Sequence, residues 1–455
     1  MEISSVFVHG ASLVRSLGSC PPARYPVGWG GDYLKLPAVL SQGGEGRTQL
    51  ERGALAPANL SRLLDRRRIF LCCAVLLALQ LGIFGFIVAG THGWIVPLAR
   101  PTTTDFVSFY AAGALANDGN PALAYDHAAH LAAEERVTGA GIEYQFFNYP
   151  PVFILLCAAL ARLPYLVAFI LFEVVTLALY LLVACLILGE RGGTALVALL
   201  AFPLVFWNIG LGQNAFLTAG LFGAATMLID RRPIPAGLLF GLLCYKPHFG
   251  LLVPLALVAG GHWRAFAAAG ASVFALVFAS LALFGAETWQ AFFATVGGSY
   301  AMYESGRILF AGMANTFGAA HLLGAGAPLA YALQAAASLV AAGFVVIVWR
   351  CRLSLPTRAA TLAAASLVAA PLALLYDLML GTIAAAWLVR DGTSPATWAW
   401  QKLALAALYL FLFEASAVLA ADRGFLERWH VPAFSLAAVA LLAIAAARAR
   451  REAVR

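Results

Sequence analysis

From residue 61 onward, long apolar runs alternate with short connectors that carry arginine. The first run, from Ile69 to Gly90, is long enough for the ~20 residues with which a helix crosses a bilayer. Several later runs hold only ~12–16 apolar residues, so their turns are expected to lie below the membrane surface, inside a cavity. The pattern predicts an all-α polytopic membrane protein, with about 10–13 membrane helices between residues 61 and 450.

Composition agrees with this fold class. The chain is 62% hydrophobic and 11% charged, whereas soluble domains carry roughly 25% charged residues. The net charge of +7 comes from arginines in the connectors, which are typical of cytoplasmic loops rather than of a nucleic-acid surface. Residues 1–60 are rich in Gly, Pro and Ser and are expected to be a disordered N-terminal extension; residues 451–455 are expected to be a basic cytoplasmic tail.

The basic cluster from Arg62 to Arg68 predicts a cytoplasmic N-terminus. Residues 91–148 then form a large, acidic loop on the extracytoplasmic face of the cell inner membrane. The same rule brings three later turns to the loop's side of the membrane, and their polar residues are Gln213, Asn214, Lys246, His248 and Asp377. Polar groups from distant segments are therefore expected to converge there, beside Asp105.

Asp105 precedes the amphipathic stretch "FVSFYAAGALAND". One interpretation is that it caps this helix, because Asp is favoured at that position. The other is a general base, since a fixed, ionised carboxylate in an aqueous loop suits that role. Further along, "FNYPP" with Tyr149 is interpreted as the point where the chain returns to the membrane.

The turn "GLGQNAF" places Gln213 and Asn214 between two apolar arms. These amides could join helices by hydrogen bonds, or they could bind sugar hydroxyls.

The segment "CYKPHFG" places Lys246, Pro247 and His248 in another apolar run, which predicts a broken helix with a buried cation. That lysine could bind an anionic ligand, extend to the interface, or pair with Asp377. Tyr376 adjoins Asp377, and Arg307 in an outer loop is a second candidate for binding phosphate.

Motifs of soluble nucleotide-dependent enzymes are missing from the sequence, including the Walker loop and the GxGxxG turn. A sugar donor would therefore have to come from the membrane. No acidic DxD-type cluster is present, and neither a metal nor another cofactor is predicted.

Taken together and in this order, "DFVSFYAAG", "NPALAYD", "FNYPP", "NIGLGQNAFL" and "GLLFGLLCYKPHFGLLVPLAL" resemble glycosyltransferase family 87. The resemblance covers about Ile69 to Phe266 well and the rest loosely. It implies a GT-C-like enzyme that uses a polyprenyl-phosphate sugar, with mannose first among the candidates. It also implies that Asp105 is the catalytic base and that Lys246 faces the lipid phosphate. Some members have a Ser-Pro motif followed by His where this chain reads "AAPLALLYD", a departure on the donor side.

The residues themselves support the hypothesis of an inverting hexosyltransferase. Gln213, Asn214, Lys246, His248, Arg307, Tyr376 and Asp377 would bind substrate, and a glycolipid or glycan would be the acceptor. The alternative is a proton-coupled secondary transporter, because intramembrane Lys, His and Asp residues suit that class too. The absence of an inverted repeat and the long first loop count against it.

Overall fold

A computed structural model describes residues 64–89, 104–190, 192–304, 308–390, 398–422 and 424–454. The predicted extension, residues 1–60, lies outside these ranges, as do the first part of the 91–148 loop and Arg307. Of the described residues 81% are helical and none forms a strand. The predicted all-α polytopic class is confirmed.

The helices follow one another with short connections. They are α1 (Arg66–Ala89), α2 (Phe106–Asn117), α3 (His127–Thr138), α4 (Pro151–Leu160), α5 (Tyr165–Leu188), α6 (Gly193–Leu200), α7 (Pro203–Leu211), α8 (Ala215–Leu228), α9 (Pro233–Leu242), α10 (Pro247–Gly250), α11 (Val253–Ala259), α12 (Trp263–Glu304), α13 (Thr316–Leu322), α14 (Ala327–Arg350), α15 (Leu355–Ala369), α16 (Met379–Arg390), α17 (Trp398–Ala421), α18 (Phe425–Arg428) and α19 (Ala433–Ala453). Short 3₁₀ turns cover Pro121–Tyr125, Leu243–Tyr245, Phe310–Gly312 and Leu375–Leu378.

Six of the described helices are long and apolar enough to cross a membrane, and α6 with α7 makes a seventh if this pair, bent by 55°, is one span. The rest of the predicted 10–13 membrane helices would have to come from shorter apolar helices of 10–17 residues. Helix α12 changes direction at Gly285, where the backbone is not helical.

Close helix packing depends on glycines at two contacts. A Cβ at Gly237 would lie 2.2 Å from the Ala265 carbonyl oxygen, and one at Gly241 would lie 2.6 Å from the Ala269 carbonyl oxygen. This Gly-x-x-x-Gly pair lets α9 lie directly against α12, as small residues do in membrane helix pairs. Gly113 does the same for α2 against α4, since its Cβ would meet the Cys157 carbonyl oxygen at 2.1 Å.

The arginine-bearing connectors meet at one end of the bundle, which we call the basic end. There Arg358 donates to Asp230 at 2.7 Å, and His262 lies beside both. Arg390 donates to the Ile187 carbonyl at 3.0 Å, close to the C-terminus of α5. The N-terminus of α5 lies at the other end, where the Tyr165 and Thr104 hydroxyls are 3.1 Å apart. Since α5 has 24 residues, the two ends are about 36 Å apart.

Three short helices run from the basic end toward the polar turns. Helices α8, α9 and α16 have 14, 10 and 12 residues, so they are about 15–21 Å long. A hydrocarbon core is about 30 Å thick. Each of the three is thus shorter than the hydrocarbon core, and the position of their far turns below the membrane surface stays a prediction.

Candidate active site

Asp105 immediately precedes α2, but its side chain makes no capping hydrogen bond to that helix. It turns away instead, and its Oδ2 accepts a hydrogen bond of 2.7 Å from Gln213 Nε2. The capping interpretation is therefore wrong for the side chain. Asp105 is partly exposed, and among the described residues no donor reaches its Oδ1.

Burial raises the pKa of the Asp105 carboxyl from its usual value to about 6, and the Gln213 hydrogen bond opposes that rise. Loss of solvation disfavours the charged form, whereas a donor to the carboxylate favours it. The carboxylate is thus ionised at neutral pH yet close enough to its pKa to accept a proton readily.

A tight turn after α7 delivers Gln213 to Asp105. Gly212 adopts a left-handed backbone (φ +68°), and a Cβ there would lie 2.7 Å from Phe106 Cβ. Only glycine can make this turn so close to the residue that follows Asp105. Buried Asn208 fixes the turn from inside, because its Nδ2 donates to the Gln213 carbonyl at 2.8 Å and its Oδ1 accepts from the Ala215 amide at 3.1 Å.

Lys246 lies at the predicted helix break. The 3₁₀ turn Leu243–Tyr245 ends before it and α10 begins after it at Pro247. The ammonium donates to Asp377 Oδ1 at 2.6 Å and to Asn214 Oδ1 at 3.0 Å. Its side chain is 5% exposed and that of Asp377 is 3% exposed. Of the alternatives for this lysine, the ion pair with Asp377 is present.

Asp377 is held in place by its own turn. Its Oδ2 accepts a hydrogen bond of 3.0 Å from the Leu374 amide, and Leu374 forms a backbone bridge with Met313. The Tyr376 ring lies 5.1 Å from Lys246 Nζ, so the cation also faces an aromatic ring. An ammonium has three donors, and Asp377 with Asn214 takes two of them.

The structure brings six of the predicted site residues into two linked groups: Asp105 with Gln213, and Asn214 with Lys246, Tyr376 and Asp377. His248 is half-buried with its ring 4.5 Å from that of Phe249, and it makes no hydrogen bond to either group in the described part of the chain. Arg307 lies outside the described residues.

Tyr149 connects the two groups, although the sequence indicated only a residue at the membrane interface. Its hydroxyl donates to Gln213 Oε1 at 3.4 Å, and its ring lies 4.7 Å from that of Phe153, which stacks on Tyr245. Burial, and then the negative charge of Asp377, raise the pKa of Tyr149 well above its usual value. It is thus a neutral phenol between the two carboxylates.

A second buried pair supports the loop behind Asp105. His130 and Glu134 of α3 are fully buried, with Nδ1 and Oε1 3.4 Å apart. His130 Nε2 bonds to the Ser108 carbonyl of α2, and Glu134 accepts from the Gln145 amide. Burial lowers the pKa of His130 to about 4 and raises that of Glu134 to about 8, so both are neutral at pH 7. The sequence indicated Glu134 only as one of several loop acids.

In the described ranges, no group of three or more His, Cys, Asp or Glu residues is placed to hold a metal ion. The polar groups that do meet are a partly exposed carboxylate, two amides, a phenol and a buried ion pair, inside a bundle of apolar helices. Polar and ionisable groups among membrane helices are costly and usually mark a functional site, so the fold and this cluster define a polytopic membrane protein with a candidate active site.

Comparison with known proteins agrees with that class. The model of glycosyltransferase family 87 matches residues 146–376, slightly more than half of the chain, and the protein belongs to this family. The matched segment contains the Gln213 turn and Lys246, whereas Asp105 lies before it. No curated protein and no solved structure matches the chain. Family membership indicates a membrane glycosyltransferase, with a sugar donor, an acceptor and the bilayer as partners.

Proposed function

We propose that this protein transfers a hexose, with mannose first among the candidates, from a polyprenyl-phosphate donor to an acceptor hydroxyl. The acceptor is a glycolipid or glycan on the extracytoplasmic face of the cell inner membrane, and the enzyme is of the GT-C type. The observation that carries the proposal is the state of Asp105. One carboxylate oxygen is fixed by Gln213, and the other is left without a donor among the described residues.

The proposed reaction needs one base and one leaving group. Asp105 Oδ1 takes the proton of the acceptor hydroxyl while that oxygen forms a bond to the anomeric carbon. The bond from the anomeric carbon to the phosphate oxygen breaks, and its electron pair leaves with the polyprenyl phosphate. Because attack and departure occur on opposite faces, a β-linked donor gives an α-linked product.

The sugar donor would lie against the group formed by Asn214, Lys246, Tyr376 and Asp377. Lys246 keeps one ammonium donor for a phosphate oxygen, although its charge is already compensated by Asp377. Asn214 Nδ2 is a buried donor without an acceptor in the described chain, and it suits a sugar hydroxyl or a phosphate oxygen. His248 is proposed to contact the same phosphate, and Arg307 stays a proposal drawn from its sequence position alone.

Glycosyl transfer is favoured over the transporter by family membership. Solute uptake by vesicles that contain the protein is therefore the control measurement: a transporter would move substrate without forming a glycosidic bond.

The test is transfer of radiolabelled mannose from a synthetic polyprenyl-phosphate mannose to membrane glycolipids, by the full chain in proteoliposomes. Asp105→Asn is close to isosteric and should lower kcat by ~10²–10⁴-fold, the usual contribution of a general base. Asp118→Asn is the matched control, because Asp118 is an exposed acid of the same loop, 3.5 Å from Arg136; it should keep full activity. If Asp105→Asn transferred sugar as fast as Asp118→Asn, the assignment of the base would be wrong.

A further inference from the structure

Glu173 is a buried acid inside a membrane-spanning helix. It is the only ionisable side chain of the Asp, Glu, Lys and Arg types in α5, and it is 5% exposed. A carboxyl group at membrane depth is costly, and such groups are retained chiefly where they serve a function. Neither of the two groups described above includes it.

The neighbour of Glu173 is the residue that fixes the Gln213 turn. Asn208 Nδ2 lies 3.5 Å from Glu173 Oε2 and 2.8 Å from the Gln213 carbonyl oxygen, so its two hydrogens are directed at both. Asn208 Oδ1 accepts from the Ala215 amide. An asparagine amide can rotate by half a turn, and the acceptor oxygen Oε2 beside Nδ2 favours the observed state, because in the rotated state two oxygens would face each other.

These contacts form a chain that ends at the reacting carboxylate. From Asn208 it passes through the Gln213 backbone to the Gln213 side chain, which holds Asp105 Oδ2 at 2.7 Å. Phe172, the residue before Glu173, packs near the Asp105 side of this contact. Its ring centroid lies 5.5 Å from that of Phe106, the residue after Asp105. Two consecutive residues of α5 therefore support the Asp105–Gln213 contact from its two sides, Phe172 through Phe106 and Glu173 through Asn208.

A role in packing alone does not account for this residue. Glu173 Oε1 is buried and has no hydrogen-bond partner in the described chain, and a buried oxygen without a partner is destabilising. An apolar side chain would join α5 to α7 at lower cost.

We propose that Glu173 is a positioning residue for the general base: it holds the Asn208 amide, and through the Gln213 turn it sets the orientation of Asp105. This inference rests on the proposed function. A misplacement of the base by ~1 Å can lower the rate ~10²-fold, so the effect should appear in kcat while the donor KM stays the same.

The experiment is a double-mutant cycle in the mannose-transfer assay, with Glu173→Leu and Gln213→Ala alone and combined. Glu173→Leu should lower kcat by ~10–100-fold in the wild-type background. With Gln213→Ala already present, the chain to Asp105 is cut, and Glu173→Leu should change kcat less than ~3-fold. Glu173→Gln should keep activity, because its side-chain carbonyl can still accept from Asn208.

The control is Thr176→Val, on the same helix and equally buried at 5% exposure. The Thr176 hydroxyl bonds only to backbone carbonyls of its own helix, so this change should leave kcat and KM unaltered. A second readout is the acid limb of the pH–rate profile. In Glu173→Leu it should move to higher pH, because the Gln213 hydrogen bond that lowers the pKa of Asp105 is weakened.

Equal kcat effects of Glu173→Leu in both backgrounds, or an unmoved acid limb, would overturn the proposal and leave Glu173 a structural residue. If Glu173→Leu does not fold, Glu173→Met, which matches glutamate in length, takes its place in the cycle. Asp105→Asn is measured in parallel: an active Asp105→Asn refutes the proposed function, whereas an inactive one beside additive Glu173 effects refutes only this inference.

Discussion

The buried ion pair between Lys246 and Asp377 allows a test in which one substitution should be repaired by a second. Replacing Lys246 by Met removes the cation and leaves the Asp377 carboxylate, 3% exposed, without its partner. Breaking a buried pair from one side typically costs about 3–5 kcal/mol. That is a large part of the 5–15 kcal/mol by which folded domains are stable.

The repair is Asp377→Asn in the Lys246→Met background. An asparagine oxygen can still accept from the Leu374 amide, which now bonds to Asp377 Oδ2, and no uncompensated charge remains. Neutral replacement of both partners is often close to neutral in stability, so the double variant should lie within about 1 kcal/mol of wild type. Thermal unfolding in detergent should rank wild type and the double variant together, well above Lys246→Met.

The same variants separate stability from donor binding. If Lys246 contributes its third donor to the lipid phosphate, the folded double variant should show a donor KM raised about 10-fold or more, the value of a hydrogen bond to a charged group. A double variant as unstable as Lys246→Met, or a single variant as stable as wild type, would show that the pair is not buried as described. An unchanged donor KM would remove Lys246 from the donor site.

Three further predictions concern the turn, the base and the topology. Gly212→Ala should abolish transfer, because the new Cβ would meet Phe106, and it should lower stability by at least the ~1–2 kcal/mol that a left-handed alanine costs. Gly210 is a helical position with open space around it, so Gly210→Ala should be neutral or stabilising in the same unfolding and transfer assays. Because the base must be ionised and the pKa of Asp105 is about 6, kcat/KM should fall as pH drops through 6, and a flat profile from pH 5 to 8 would contradict its role. A cysteine at Asp118 should react from outside with a membrane-impermeant maleimide and one at Arg231 should not; the reverse pattern would invert the topology.

The fold class could be predicted from the sequence, and so could the two charged side chains whose burial costs the most free energy, Lys246 and Asp377. Polar residues inside apolar runs are visible without a structure, and Lys246 and Asp377 were recognised on that ground as possible partners. The rule that counts basic connectors brought Asp105 and the Gln213 turn to one side, and the structure places them 2.7 Å apart.

Other site residues could not be identified because their roles depend on neighbours distant in sequence. In the sequence, nothing distinguishes Asn208 from other helical asparagines. Its contacts with α5 and the Gln213 turn form only in the folded protein. The residues next to Tyr149 in the sequence indicate only a tyrosine at the membrane interface. The hydrogen bond from its hydroxyl to Gln213 is seen only in the structure. Glu173 was visible in principle, since it is a lone acid in a 24-residue apolar helix. For the helix count, six or seven of the described helices are long enough to cross a membrane, and the rest of the predicted 10–13 would come from the shorter apolar helices.

The hydrogen bonds at the basic end restrict how substrates could reach the site. Asp230 and His262 lie in two different connectors and Arg358 lies in the first turn of α15, so α15 and the helices that flank the two connectors are held together there. Any separation of helices that admits a lipid tail must therefore widen toward the opposite end, with the fastened end as its pivot. Rearrangement would then be largest where the polar turns lie and smallest at the arginines.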